Sequence, residues 1–316
     1  MRGERAMSEA SPATAARTIV GLGLTEGVGA RLAADFALVQ PPAAIDPATR
    51  VIVVQNARVD LHEMTRQPGL EFIAVFGAGY DRIDVAAAKA RGIAIANTPD
   101  VTNTCVADMA MALLLAAARQ VCIGDRHVRA GRWPQGRLPL APRFSGRRLG
   151  VYGLGGIGAA IARRAAGFDI EIGYHNRRQR SDVPYKYYGD LAALAAASDY
   201  LVVACPASAE TRRSVDARVL AALGPGGIVV NIARGSIIDE DALVEALERK
   251  TIAGAGLDVF THEPNLPARL FALDNVVLAP HVAGSTHETW DEATALLVRN
   301  LDHFFTTGRP LTPVAP

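Results

Sequence analysis

The feature that most constrains this chain lies near its middle. An apolar run, Leu149 to Tyr152, meets Gly153-Leu154-Gly155-Gly156-Ile157-Gly158, and Ala159 to Ala166 follows with helical composition. A GxGxxG turn between a strand and a helix assigns each glycine a task. The first permits the tight turn, the second lets backbone N–H groups approach an anion, and the third lets the helix pack closely. The helix N-terminus adds positive partial charge, so the turn reads as the pyrophosphate cradle of a dinucleotide site. Gly153, Gly155, Gly156, Ile157 and Gly158 are its candidate binding residues.

The second strand, Ile170 to Tyr174, bears on which dinucleotide. A site for NAD usually carries an acidic residue about 20 residues after the glycines, accepting from the ribose 2′-OH, whereas a 2′-phosphate needs cations. Here the strand ends in His175-Asn176-Arg177-Arg178, and no carboxylate follows until Asp182. Two planar, permanently charged guanidinium groups suit a phosphate. The expectation is NADP(H) as preferred cofactor and NAD(H) as the secondary one. An earlier GxG, in Gly21-Leu22-Gly23-Leu24-Thr25-Glu26-Gly27, has Glu26 where the third glycine belongs and reads as an ordinary strand-to-helix turn.

At 316 residues the chain is long enough for two domains, each with its own core. A formal net charge of +1 gives no electrostatic footprint for nucleic acid or an anionic membrane. Cys105, Cys122 and Cys205 have no spacing typical of metal or redox motifs, so no metal is expected. An odd cysteine count without a secretory signal points to reduced thiols in a cytoplasm. Met1 to Ala16 is polar and alanine-rich, a loose tail by expectation. Met109 to Ala118 is apolar but far short of the ~20 residues that span a bilayer, and reads as a buried helix.

From Arg17 the chain alternates β-like runs with helical stretches, which argues for parallel sheets wrapped by helices. Strands are predicted at Thr18 to Gly21, Ala37 to Val39, Val51 to Val54, Phe72 to Val75 and Ile93 to Ala96, with a short helix over Val85 to Arg91. Asn97-Thr98-Pro99 breaks this pattern, and a long apolar helix runs from about Thr102 to Arg119. Gly131 to Arg148 is rich in Gly, Pro and Arg. Its Trp133 and Leu138-Pro139-Leu140 are more apolar than a solvent loop needs, as in an arm against another subunit. Further strands are predicted at Tyr200 to Ala204, Gly227 to Asn231, Gly254 to Asp258 and Val276 to Leu278. Asp239 caps a helix bearing Leu243, Val244 and Leu247, and Ser285-Thr286-His287-Glu288 is a capping box opening a last helix through Trp290 to about Phe305.

The fold expected is α/β and two-lobed. Residues 99–286 form a Rossmann nucleotide-binding domain. Residues 1–98 and 287–316 form a flavodoxin-like substrate domain completed by the C-terminal helix. A cleft between such lobes is where small-molecule sites tend to lie.

Three later residues sit at predicted strand ends, where such sheets place their sites. Arg234 follows Ile228 to Ala233 and precedes Gly235, so a guanidinium there could hold a carboxylate bidentately. His281 follows Leu278-Ala279-Pro280 and faces a loop, and histidine is the side chain best suited to exchange a proton near neutral pH. Glu263, in Thr261-His262-Glu263-Pro264, would favour the imidazolium if it lay beside His281.

With these residues the chain closely resembles the D-isomer-specific 2-hydroxyacid dehydrogenase family over nearly all of Arg17 to Val314. The matching pieces, in order, are Phe76-Gly77-Ala78-Gly79-Tyr80-Asp81, Asn97 to Val101, the glycine turn, Cys205-Pro206 with Glu210-Thr211, Asn231 to Gly235, Gly256 to Phe260 with Glu263-Pro264, and Pro280-His281. Within the family it is similar to NADP-preferring glyoxylate/hydroxypyruvate reductases and to hydroxyphenylpyruvate reductases, through Tyr174 to Arg178.

The resemblance implies hydride transfer to a small 2-keto acid, with His281 paired to Glu263 protonating the carbonyl oxygen and Arg234 binding the carboxylate. Backbone N–H groups around Gly77, Ala78 and Gly79 would take the other carboxylate oxygen, Asp258 would orient the nicotinamide carboxamide, and the product would be a D-2-hydroxy acid. Phe76 and Trp290 are candidates to shape the substrate pocket, with packing at the helix start as the equal alternative for Trp290. Further cofactor contacts would fall at Thr104, Cys205, Pro206, Thr211, Ile232, Ala233, Ala283 and Gly284, besides Arg234 and His281. A homodimer through the nucleotide domain is implied as well.

The chain departs from the family pattern in three places. His175 stands where many relatives have Asp, Val101 to Val106 differs from the commoner leucine, threonine, aspartate order, and Trp290 stands where many carry Arg or another residue. The rival dehydrogenase readings are a phenylpyruvate-type and a 3-phosphoglycerate enzyme, the latter often with an added regulatory domain. A formate dehydrogenase lacks the glutamate at position 263. A rival of another class is a corepressor-like protein that senses NAD(P) without turnover, against which the retention of Arg234, Glu263 and His281 argues.

Overall fold

A computed structural model describes residues 17–314; the expected tail, residues 1–16, lies outside the described residues. The chain divides into two compact units, one reaching to Val101 and resuming at His287, the other Thr102–Thr286.

In the first unit β1 (Thr18–Leu22), α1 (Glu26–Ala33), β2 (Ala37–Val39), β3 (Val51–Val54), α2 (Leu61–Thr65), β4 (Phe72–Val75), α3 (Val85–Ala90) and β5 (Ala94–Ala96) alternate along the chain. The strands form one parallel sheet in the order β2-β1-β3-β4-β5, the flavodoxin-like arrangement. Val51-Ile52-Val53-Val54 is β-branched throughout and buried at every position, as a strand covered on both faces must be. The glycine-bearing segment after β1 leads into α1, an ordinary strand-to-helix turn.

The second unit opens with α4 (Asn103–Ala118) and α5 (Val121–Arg129), then runs β6 (Arg148–Tyr152), α6 (Gly156–Ala166), β7 (Glu171–His175), β8 (Lys186–Tyr187), α7 (Leu191–Ala196) and β9 (Tyr200–Val203). It continues through α8 (Ala217–Leu223), β10 (Ile228–Asn231), α9 (Glu240–Glu248), β11 (Gly254–Leu257), α10 (Ala268–Phe271) and β12 (Val276–Leu278). Its seven strands are parallel in the order β12-β11-β10-β9-β6-β7-β8, a Rossmann sheet with one strand added. Two apolar clusters cover its faces. One includes Leu201, Val203, Leu220 and Leu247, and the other Leu114, Leu149, Ile161 and Tyr174. The apolar α4 is thereby a core helix, and among the described residues no single helix is long and apolar enough to cross a membrane.

The chain returns to the first unit as α11 (His287–Thr307). Leu297, Leu301 and Phe304 bury against the sheet, and Phe304 stacks on Phe72 with ring centroids 4.6 Å apart. Each such side chain contributes about 2 kcal/mol on burial, enough for the last helix to complete this unit. The helix starts one residue later than a Ser285 cap would give. Ser285 instead closes a turn, its N–H donating to the Val282 carbonyl at 2.9 Å, and the Thr286 N–H donates to Gly284 at 3.1 Å.

Candidate active site

In the second unit the chain leaves β6 for β7 and β8, then crosses back to β9 on the other side of β6. The carboxyl ends of β6 and β9 therefore flank the point where strand order reverses, the usual ligand position in such sheets. Gly153, at φ 100°, lies so close to Cys205 that a Cβ would overlap its backbone, and a Cβ on Gly158 would run into the Gly153 carbonyl. A Cβ on Gly155 would meet nothing within 4 Å. The face of the turn over the N-terminus of α6 is thus open, a cradle that fits a pyrophosphate.

Around the cradle, the Asn103 side chain stands against Gly156, and the neighbouring Thr104 is exposed, its carbonyl accepting from Arg164 of α6 at 3.4 Å. Ile157 is half-buried. Burial pushes the Cys205 thiol up to about 12, so it is a neutral packing group. Thr211 Oγ1 donates to the Pro206 carbonyl at 2.9 Å and accepts from the Ser208 N–H at 2.8 Å, closing the turn after β9.

At the end of β7, His175 Nδ1 lies 2.7 Å from the Tyr188 carbonyl, which can only accept, so that nitrogen carries the proton. Asn176 Oδ1 accepts from the Leu154 N–H at 2.7 Å, tying the strand end to the glycine turn. Arg177 is 88% exposed, with the Glu210 carboxylate 3.9 Å away, and Arg178 is exposed beside it. The sequence did not single out Arg180. It donates from Nη1 to the Leu154 carbonyl at 2.9 Å and from Nε to Asp182, also at 2.9 Å.

Arg234, Glu263 and His281 follow three neighbouring strands, β10, β11 and β12. Glu263 Oε1 accepts from the Phe260 N–H at 2.9 Å, and Oε2 lies 2.7 Å from His281 Nδ1. An ionised carboxylate only accepts, so Nδ1 bears the proton and Nε2 is left for other chemistry. The imidazole is about half-exposed while the carboxylate is mostly covered. Asp258 is wholly buried. Its carboxylate accepts from the N–H groups of Val282 at 2.8 Å and Ala283 at 2.9 Å, and its carbonyl accepts from the His281 N–H at 2.8 Å. Burial raises the Asp258 carboxyl above the usual carboxylate range, against the pull of those amides.

Arg234 is held by its neighbours. Buried Asn231 accepts from the Ala233 N–H and donates to the Arg234 carbonyl, both at 3.0 Å. The guanidinium donates to the Ala233 carbonyl at 2.7 Å. Gly235 packs so tightly on the Phe260 backbone that no side chain would fit, which presses the Arg234 turn against the loop carrying Glu263. Asn231 was missed as a site residue, although a polar side chain ending the apolar run Ile228-Val229-Val230 was a signal. Ile232 and Ala283 are buried, and Ala233 and Gly284 half-buried.

In the first unit, Phe76 to Gly79 form the turn after β4, and the rings of Phe76 and Trp290 meet edge-on at 5.5 Å. The structure corrects one expectation here. The Gly77 N–H already donates to Thr98 Oγ1 at 2.8 Å, so it is not open to a carboxylate. No acceptor among the described residues lies on the N–H groups of Ala78 and Gly79, and Asn97 Nδ2 steadies the turn through the Ala78 carbonyl at 2.7 Å.

Comparison with known proteins places this geometry. The profile described as "D-isomer specific 2-hydroxyacid dehydrogenase, NAD binding domain" matches residues 111–283. The chain is 46% identical over 259 residues to glyoxylate/hydroxypyruvate reductase A of Arabidopsis thaliana, covering 82% of this chain and 83% of that one. It is 44% identical over 265 residues to the hydroxyphenylpyruvate reductase of Plectranthus scutellarioides, covering 84% of each. Among solved structures, the NADPH-dependent glyoxylate/hydroxypyruvate reductase of Sinorhizobium meliloti in complex with NADP and malonate is similar at a TM-score of 0.89. The two are 43% identical, over 95% of this chain and 97% of that one.

Proposed function

The chain belongs to the D-isomer-specific 2-hydroxyacid dehydrogenase family, and from this premise we propose that it is an NADPH-dependent reductase of small 2-keto acids, glyoxylate and hydroxypyruvate foremost, yielding the D-2-hydroxy acid. The observation that carries the reading is the His281–Glu263 pair, with one carboxylate oxygen on the imidazole at 2.7 Å and the other anchored to backbone. A sensor without turnover has no use for such a pair.

A bound nicotinamide supplies the hydride for the keto carbon. His281 delivers a proton from Nε2 to the carbonyl oxygen, while Glu263, on Nδ1, fixes the orientation of the ring. Arg234, steadied by Asn231, takes the substrate carboxylate, and in the first unit the N–H groups of Ala78 and Gly79 are donors of the kind that a carboxylate oxygen accepts from. Asp258, buried beneath the His281 turn, holds it through the Val282 and Ala283 amides and so sets the backbone against which a nicotinamide carboxamide would be oriented. Arg177 and Arg178, exposed at the end of β7, read the 2′-phosphate.

The protein works as a homodimer in the cytoplasm, its apolar Trp133 to Leu140 segment facing a second copy. The Phe76–Trp290 ring pair favours a second substrate class, keto acids with an aryl side chain such as hydroxyphenylpyruvate.

Initial rates with NADPH and NADH over glyoxylate, hydroxypyruvate and hydroxyphenylpyruvate test the reading. Catalytic efficiency should favour NADPH by about tenfold or more, the value of one good charged contact. Equal efficiency with NADH sinks the phosphate assignment, and no keto-acid-dependent oxidation sinks the reductase.

A further inference from the structure

We propose that Arg180 is a positioning residue that holds the glycine turn in shape for the cofactor's pyrophosphate, and that it serves NADPH and NADH alike. The proposal rests on the reading that the turn and the basic strand end bind a nicotinamide dinucleotide.

Leu154 is the residue between the first two glycines of the turn, and both its backbone polar groups are caught by the segment that follows β7. Its N–H donates to Asn176 Oδ1 at 2.7 Å, and its carbonyl accepts from Arg180 Nη1 at 2.9 Å. Arg180 is fixed in turn. Its guanidinium forks onto Asp182, its N–H donates to the Tyr174 hydroxyl at 2.8 Å, and its carbonyl accepts from that hydroxyl at 3.1 Å. Tyr174 is fully buried in β7, so the tether runs from the core of the sheet to the turn. With its N–H and its carbonyl both held, Leu154 fixes the two peptide units on either side of it, and the Gly155 N–H, which shares a peptide plane with that carbonyl, stays aimed in one direction.

The charge arrangement separates Arg180 from its neighbours. Its guanidinium is spent on Asp182 and on a carbonyl, whereas Arg177 and Arg178 project into solvent. The pyrophosphate is common to both cofactors and the 2′-phosphate is not. Loss of Arg180 therefore weakens both by the same factor, whereas loss of Arg177 weakens NADPH alone.

Calorimetric titration of the full-length protein with NADPH and with NADH reads this directly. R180A should raise both Kd values by about tenfold, the scale of one charged hydrogen bond, and leave their ratio unchanged. R180K keeps the charge without the fork and should resemble R180A. R177A should raise the NADPH value alone. Should R180A not fold, D182N loosens the same fork and should weaken both cofactors equally by a smaller factor. Two outcomes overturn the proposal: loss confined to NADPH, which would make Arg180 a phosphate ligand, or unchanged affinity for both in R180A or D182N. If R177A leaves the ratio unchanged, it is the phosphate reading that fails, and an equal loss in R180A still supports the tether.

Discussion

His281 stands at φ 55°, a left-handed conformation that costs a residue with a Cβ about 1 kcal/mol or more. Asp258 offsets that cost, since its carbonyl takes the His281 N–H while its buried carboxylate takes the next two amides. The backbone is thus bent to present the imidazole, and Glu263 sets its rotation and tautomer. Exchanging His281 for Ala should lower kcat by roughly 10²–10⁴-fold, the usual range for a general acid, with far less effect on the Kd for NADPH. E263Q retains an acceptor for Nδ1 but loses the charge, so its loss should be smaller. Steady-state rates and titrations on both variants check this, and an H281A protein with undiminished turnover would refute the acid assignment. These two side chains were legible in the sequence because each follows an apolar run at a strand end. Arg180 was not, since a carboxylate two residues on gives it the look of a local surface pair. Nothing in the sequence revealed that the Gly77 N–H is taken, because its partner Thr98 lies 21 positions away.

At the scale of elements, β6 carries the glycine turn and is fixed at its other end by Asp199, just before β9. The Asp199 carboxylate accepts from the Arg148 N–H at 2.9 Å, Nε at 3.2 Å and Nη2 at 3.0 Å. The guanidinium of Arg148 holds the Asp199 carboxyl below the usual carboxylate range, outweighing burial. A folded pKa below the unfolded one means the stabilisation is complete above the unfolded value, near 4, and is lost as pH falls through the folded value. D199N should therefore lower stability at pH 7 and lose its effect in acid. The cost should be about 1 kcal/mol, kept modest by the half-exposed Arg148. Urea unfolding of both proteins at pH 7 and below pH 3 decides it, and a penalty that persists in acid would contradict the pair's role. Most strands announced themselves because β-branched runs between turn residues leave little choice. Two-residue β8 was too short to show a period, and α5, with no residue buried, has no inward stripe to read. The last helix shows the limit of a local motif, since the backbone is still turning at Ser285 and Thr286 and the helix begins only at His287.

At the scale of the whole molecule, α5 and the segment after it pose a physical problem. The segment is shaped by polar contacts within its own unit. The His127 ring meets the Gly136 carbonyl at 3.1 Å, and Arg126 pairs with Asp274 at 3.0 Å. Yet Val121 and Val128 are exposed, Trp133 is 63% exposed and Leu140 fully so. A chain that spends hydrogen bonds to hold apolar side chains in water has a use for them, and grouped apolar exposure marks an association surface. With a net charge of only +1, apolar contact rather than charge would drive self-association, and a symmetric pair of such segments is the simplest closed arrangement. Sedimentation velocity at micromolar concentration should give twice the chain mass of 33.3 kDa. Introducing V128E together with L140E should shift it to the single-chain mass without altering the far-ultraviolet circular dichroism, because neither side chain contributes to a core. An unaltered protein sedimenting at the single-chain mass would remove the dimer, and a variant still at the doubled mass would move the interface to another face.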